Sequence, residues 1–268
     1  MDRIKRALQK NRSRRQHAVQ EHTAPAPKVT AIRPHDDIEY SQTRTIKISK
    51  SILAENRIVA GNQSDPRATY FRMLRTQVLH AMRENDWSSL AVTGPMAGVG
   101  KSLIATNLAI SISMEVNQTV LLVDMDLRRP ALHKYFDFKP ELGLLDYLTD
   151  DAELSDMLVN PTFKRLVLLP GRGSTSESSE LLSSPKMLDL IKELKSRYES
   201  RIVIYDLPPL LNVDDAMVIL PHVDSTILVV ENGKNTHSEV QNSLRSLEGT
   251  NLIGTVLNKS DEEIQGYY

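Results

Sequence analysis

Residues 94–102 read Gly-Pro-Met-Ala-Gly-Val-Gly-Lys-Ser, with two glycines just ahead of a lysine and a hydroxyl. Gly98 and Gly100 allow backbone N–H groups to close on a phosphate, and a helix opening at Lys101 adds the positive end of its dipole. Lys101 then reaches the outer phosphates, and the Ser102 hydroxyl ligates Mg²⁺. The strict spacing asks for a glycine five residues before Gly100. Pro95 stands there, and Gly94 lies one position early. An ordinary glycine-rich turn with a surface lysine has the same composition. The assignment therefore rests on context: an apolar strand ending near Thr93 and a helix starting at Lys101.

Two further apolar runs end on carboxylates. Val120–Val123 closes on Asp124-Met125-Asp126-Leu127-Arg128-Arg129-Pro130, and Ile202–Tyr205 closes on Asp206-Leu207-Pro208-Pro209. Asp124 and Asp126 are two apart, so an extended chain directs both to one side. A carboxylate at such a strand end orients Mg²⁺ directly or through water. Taken singly, each aspartate reads as a turn former or helix cap. Three of them beside a phosphate loop read instead as an oxygen donor set, which is what Mg²⁺ requires.

These residues need a scaffold that brings strand ends together. Short apolar runs recur at 90–92, 120–123, 166–169, 202–204, 226–230 and 252–257, several bounded by Gly, Pro, Asp or Asn. Helical patterns lie between them, over 101–115, 179–198 and 236–248. Continuous apolar strands alternating with helices predict an α/β fold, a doubly wound and mostly parallel sheet with helices on both faces. Ligands bind such sheets beyond the carboxyl ends of the strands, where all three motifs fall. Ahead of the sheet, Asp65-Pro66 signals a turn, and Leu74, Val78, Leu79 and Met82 predict a helix over 67–84. Residues 38–60 show no clear period. The spacing of these features divides the chain into a basic tail and Pro/Ala-rich linker over 1–45, a nucleotide-binding domain over 46–260 and a tail over 261–268.

The 268 residues carry a net charge of −1 and no cysteine. No global field favours nucleic acid, and disulfides, thiolate metal sites and a cysteine nucleophile are excluded. No apolar run reaches the length of about eighteen residues that a spanning helix needs. The basic N-terminus lacks the apolar segment of a secretory signal. The expectation is a cytoplasmic protein, peripheral at the inner face of the plasma membrane, with residues 1–20 (seven Lys or Arg against Asp2) as a membrane or acidic-partner contact. A solvated tail has the same composition.

Three motifs together carry a family resemblance. Ala-Gly-Val-Gly-Lys-Ser, Asp-Met-Asp-Leu-Arg-Arg-Pro and Ile-Val-Ile-Tyr-Asp-Leu-Pro-Pro resemble the P-loop bacterial protein-tyrosine kinases (BY-kinases) of capsule and exopolysaccharide synthesis. Residues 70–76, 179–187, 213–216 and 255–259 extend the likeness, which covers about 65–260. The resemblance implies ATP-dependent tyrosine autophosphorylation. It implies that Gly98, Val99, Gly100, Lys101, Ser102, Leu103, Asp206 and Asn258 bind the nucleotide, with Asn258 near the base. Lys101, Asp124 and Asp126 are its catalytic residues, with Asp124 accepting the tyrosine proton. Ser102, Asp126 and Asp206 hold Mg²⁺. Tyr267 and Tyr268 become phosphoacceptors. The implied partners are a membrane-embedded polysaccharide co-polymerase and further copies of the chain. Three departures stand out. Ala97 replaces a frequent Pro, Thr69 replaces the Glu of an E-x-x-R-x-x-R assembly motif that keeps Arg72 and Arg75, and the terminal tyrosine cluster is short.

Two other readings share the fold. A partitioning or septum-site positioning ATPase has the same paired aspartates but usually a second lysine where this chain has Met96. A nucleotide-dependent regulator of polysaccharide export would bind ATP without robust kinase activity. The seven histidines show no ligand spacing, Trp87 reads as a packing residue, and Gly-Arg-Gly-Ser-Thr-Ser-Glu-Ser-Ser-Glu at 171–180 reads as a loop.

Overall fold

A computed structural model describes residues 43–150, 152–197 and 200–261. In chain order the described elements are β1 (Arg44–Thr45), α1 (Lys50–Glu55), α2 (Ala68–Glu84), β2 (Ser89–Thr93), α3 (Lys101–Ser113), β3 (Thr119–Asp124), α4 (Leu132–Tyr135), α5 (Leu144–Thr149), α6 (Leu154–Met157), β4 (Val159–Asn160), β5 (Leu166–Leu169), α7 (Ser178–Leu182), α8 (Pro185–Ser196), β6 (Arg201–Asp206), α9 (Asp215–Ile219), a 3₁₀ turn (Leu220–His222), β7 (Ser225–Glu231), α10 (His237–Ser246) and β8 (Leu252–Asn258).

The strands form one sheet in the order β1-β4-β5-β3-β6-β2-β7-β8. Every neighbouring pair is parallel except β4 with β5. Side-chain alternation sends the central strands' residues into two cores. Leu121, Val123, Val203 and Tyr205 enter one with Met187, Leu190, Ile191 and Leu194 of α8. Val120, Leu122, Ile202 and Ile204 enter the other with Val78, Leu79 and Met82 of α2 and the apolar residues of α3. A sheet buried on both faces needs apolar residues at every strand position, which is why these strands read as unbroken runs.

The predicted strands and the helix from Lys101 stand where the sequence placed them. The long helix over 179–198 is two helices instead. Ser183-Ser184 interrupts it, the Ser184 hydroxyl accepts from Met187 N at 3.2 Å, and Pro185 occupies the first turn. A Ser cap followed by Pro at the first turn is a helix start, so chain and cap reset together. The unassigned stretch before residue 60 supplies β1 and α1, and β1 lies on the linker side of residue 46. The 57–60 segment is tied to α3 by Asn107, whose Oδ1 accepts from Val59 N at 2.9 Å and Ala60 N at 3.0 Å. On α2, Arg72 donates to the Thr69 hydroxyl, while Arg75 pairs with Glu115 at 3.1 Å and donates to Ser111 O. Trp87 packs against the core beside α2 and α3. Among the described residues no helix is long and apolar enough to cross a membrane.

Candidate nucleotide and metal site

The loop between β2 and α3 is shaped by its glycines. Gly100 has φ +98° and directly precedes α3, whose N-terminus has no side-chain cap. The first-turn N–H groups of that helix are therefore left for an anion. A Cβ on Gly100 would stand 2.1 Å from Asn258 Nδ2. Gly94, one position early in the motif, is required by packing: its Cβ would meet Val99 Cγ2 at 2.6 Å and the Val229 carbonyl oxygen at 2.7 Å. The loop is fastened from β8. Asn258 Nδ2 donates to Val99 O at 2.8 Å, and Lys259 Nζ donates to Gly98 O at 2.9 Å while pairing with Glu231 at 3.0 Å. Lys259 lies in the 255–259 segment that carries the family likeness, beside Asn258, but was not itself named as a site residue.

The three aspartates converge because β3 and β6 are neighbours in register. Asp124 and Asp206 are direct partners across the pair. Asp124 is fully buried. Its Oδ2 accepts from Ala131 N at 2.9 Å and Leu132 N at 3.0 Å, and its Oδ1 accepts from Asp126 N at 3.3 Å. It thereby holds the 125–132 loop and the start of α4. Burial pushes its pKa up to about 6, against those backbone N–H groups and with a smaller push from Asp126. Asp126 accepts from Arg129 N at 2.9 Å and lies 3.3 Å from Lys101 Nζ.

Asp206 differs. It is fully buried, yet neither carboxylate oxygen accepts a well-directed hydrogen bond. Burial pushes its pKa up to about 7. Lys101 opposes that shift, as does the Ser102 hydroxyl, which is near without being well aligned, while Asp124 and Asp126 add to it. A buried carboxylate lacking partners costs free energy unless a cation or proton joins it. Among the described residues no group of three or more His, Asp or Glu forms a preformed cage. A cation here would depend on phosphate oxygens for the rest of its shell, as Mg²⁺ in nucleotide sites does.

The surrounding loops close over these strand ends. Arg128 grips the buried Asp215 through Nε and Nη2, at 3.0 Å and 2.9 Å, and donates to Ser176 O. The 171–177 loop thus reaches the site. Beside the phosphate loop lies a cavity of about 720 Å³ lined by Gly98, Gly100, Leu103, Tyr135, Asn258 and Asp261, among others. The structure brings together every candidate from Gly98 to Leu103 with Asp124, Asp126, Asp206 and Asn258. Tyr267 and Tyr268 fall outside the described residues, as does the basic segment 1–20.

A doubly wound parallel sheet with a glycine loop opening a helix and acidic strand ends beside it defines a P-loop NTPase. Residues 89–259 match the family model described as "AAA domain". The chain is 30% identical over 87% of the length of the putative tyrosine-protein kinase CapB of Staphylococcus aureus, covering 74% of this chain. It is 30% identical to the putative tyrosine-protein kinase EpsB of Ralstonia nicotianae, but spans only 32% of that protein. The kinase domain of Escherichia coli tyrosine kinase ETK superposes with TM-score 0.71 at 31% identity, covering 84% of this chain and 91% of that one. The chain belongs to the bacterial tyrosine-kinase domains of the P-loop NTPase fold, and a nucleotide-binding site is part of that membership.

Proposed function

We propose that this domain is an ATP-dependent protein-tyrosine autokinase that controls exopolysaccharide or capsule synthesis and export. The observation that carries the reading is the register pairing of Asp124 with Asp206 beside Lys101, with both Asp206 oxygens left without partners. In this reading the N–H groups of the loop and α3 hold the β-phosphate, and Lys101 moves from Asp126 to the outer phosphates. Ser102, Asp126 and Asp206 fit Mg²⁺ as oxygen donors. When bound, the ion supplies charge neutralisation on the bridging phosphate oxygens.

Ionising a tyrosine hydroxyl at pH 7 costs about 4 kcal/mol against a pKa of about 10. Asp124 accepts that proton as the tyrosine oxygen bonds to the γ-phosphorus and the bond to ADP breaks. Its raised pKa makes it a stronger base than an ordinary carboxylate. Three N–H groups occupy three of its roughly four lone-pair sites, leaving room for one proton.

The acceptors in this reading are Tyr267 and Tyr268 of a neighbouring copy, beyond the acidic stretch Asp261-Glu262-Glu263. The activating partner is a membrane-embedded co-polymerase acting through its cytoplasmic segment. The basic residues 1–20 assist docking at the inner membrane face, at about 1 kcal/mol per Lys or Arg near an anionic surface. The test is phosphotyrosine mass spectrometry after incubation with Mg-ATP, with and without that segment, on wild type, Lys101→Met and a Tyr267→Phe/Tyr268→Phe double variant. Incorporation at the tail that both variants abolish is expected. ATP hydrolysis with no phosphotyrosine in either arm would instead identify a regulatory ATPase.

A further inference from the structure

Helix α1 closes in a turn that ordinarily carries glycine. Ile58 N donates to Leu53 O at 2.7 Å and Arg57 N to Ala54 O at 3.0 Å, the paired bonds of a Schellman motif. The first residue beyond the helix cap must be left-handed there, and Arg57 is, with φ +57°. Glycine takes that backbone without steric cost, so folding alone favours glycine over arginine at this position. The turn is then pinned from α3. Asn107 is fully buried, and its Nδ2 donates to Arg57 O at 3.2 Å and to Leu103 O at 3.0 Å, while its Oδ1 holds Val59 N and Ala60 N.

Arg57 lines the cavity beside the phosphate loop, together with Leu103, Tyr135 and Asn258. Its guanidinium makes no ion pair among the described residues, although Glu55 and Asp261 line the same cavity. The anchor Asn107 lies about 9 Å past Lys101 along α3. Arg57 therefore approaches from the side where the nucleoside leaves the loop, not from the outer phosphates.

We infer that Arg57 binds the nucleotide by laying its guanidinium across the face of the base. This rests on the nucleotide site proposed above. A guanidinium is planar, weakly hydrated and attracted to π-faces, which a lysine ammonium can match in charge but not in shape. Every base offers such a face, so the contact adds affinity without choosing between bases. The left-handed turn sets the direction from which the side chain enters the cavity. Asn107 ties that turn to the same helix whose N-terminus receives the phosphates, so one helix holds the contacts to both ends of the nucleotide.

The experiment is calorimetric titration of the full chain with Mg²⁺ and two ligands: ATP, and inorganic tripolyphosphate, which has no base. Arg57→Gly should weaken ATP about tenfold and leave tripolyphosphate unchanged. Glycine suits the turn, so this variant should melt no lower than wild type without nucleotide, and its weaker binding then reads as a lost contact and not a lost fold. Arg57→Lys keeps the charge and loses the plane, and should lose most of the same affinity. Full ATP affinity in Arg57→Lys would overturn the inference, because a point charge would then be enough. Equal weakening of ATP and tripolyphosphate overturns it and assigns Arg57 to a phosphate. Unchanged ATP binding in Arg57→Gly overturns it and leaves the nucleotide site standing. If wild type binds neither ligand, the nucleotide site itself fails and takes this inference with it.

Discussion

The two ends of the same sheet treat their carboxylates in opposite ways, one half-buried and the others fully buried. At the amino ends of β2 and β7, Asp224 accepts from Ser88 N and Ser89 N at 3.0 Å each, from the Ser89 hydroxyl at 2.8 Å, and from Lys195. Burial raises its pKa, but Lys195, Ser88 and Ser89 outweigh that and leave it lowered. At the carboxyl ends of β3 and β6, Asp124 and Asp206 sit opposite each other with raised pKa values. One end has enough donors for its charge, and the other has too few. Of the two, Asp124 is supplied with backbone N–H donors while Asp206 has no well-directed donor, which marks the Asp206 end as the candidate place for a cation from outside the chain.

The sharpest break in this contrast comes from Asp206→Asn. In the proposed mechanism it removes a charge that helps hold the metal ion, and it is one the nucleotide-free fold does not tolerate well. Turnover should fall on the order of 1,000-fold, about 4 kcal/mol in the barrier. The melting temperature without nucleotide should rise at pH 8. A variant that is less active and also less stable would show that Asp206 is a structural residue like Asp224. The mirror test is Asp224→Ala, which strands two strand-start N–H groups and the Lys195 ammonium. It should cost about 3 kcal/mol in denaturant unfolding and leave the ATP dissociation constant unchanged.

Next in size is Lys101→Met. Its ammonium pairs with the buried Asp126 at 3.3 Å and offsets the charge of Asp206, so its loss also costs the nucleotide-free fold some stability, and affinity must be read at a temperature where the variant is folded. Nucleotide affinity should fall about 100-fold by calorimetry, with the far-ultraviolet spectrum unchanged. Unchanged affinity would remove the lysine from the phosphate site.

How much of this was readable beforehand follows from the physics of each part. The six long strands were legible because a two-faced core forces apolar residues at every position. The acidic strand ends were legible because the runs stop on Asp. The break between α7 and α8 carried a signal, Ser184 followed by Pro185, but the apolar period running through it reads as one continuous helix. Asp224 was passed over because nothing adjacent in sequence marks it. Its donors Ser88 and Ser89 lie about 135 residues away and meet it only through the pairing of β2 with β7. The difference between Asp124 and Asp206 was equally hidden. Both end apolar runs, and only the fold of the 125–132 loop shows that one is supplied with N–H donors and the other is not.

The smallest effect is a pH dependence of stability, and its sign separates the two ends. Asp124 and Asp206 bind a proton more tightly folded than unfolded, with folded pKa values of about 6 and about 7 against an ordinary value near 3.8. A raised acid contributes stability that is present below the unfolded pKa and lost as pH rises through the folded pKa. The nucleotide-free protein should therefore weaken from about pH 4 to about pH 7, with on the order of 2 kcal/mol of that loss falling above pH 5 once the interaction of the pair and relaxation are allowed for. Asp224 runs the other way. Its lowered pKa contributes stability above the unfolded value, lost only as pH falls through the folded one, so it adds no slope above about pH 5. Chemical denaturation at half-unit steps from pH 5 to pH 8 reads the slope directly. Asp206→Asn should flatten most of it and Asp224→Asn should leave it intact. Adding Mg-ATP should also flatten it, since a bound cation replaces the missing protons. If the wild-type slope is absent, or survives in Asp206→Asn at full size, the carboxyl end of the sheet is no less satisfied than the amino end.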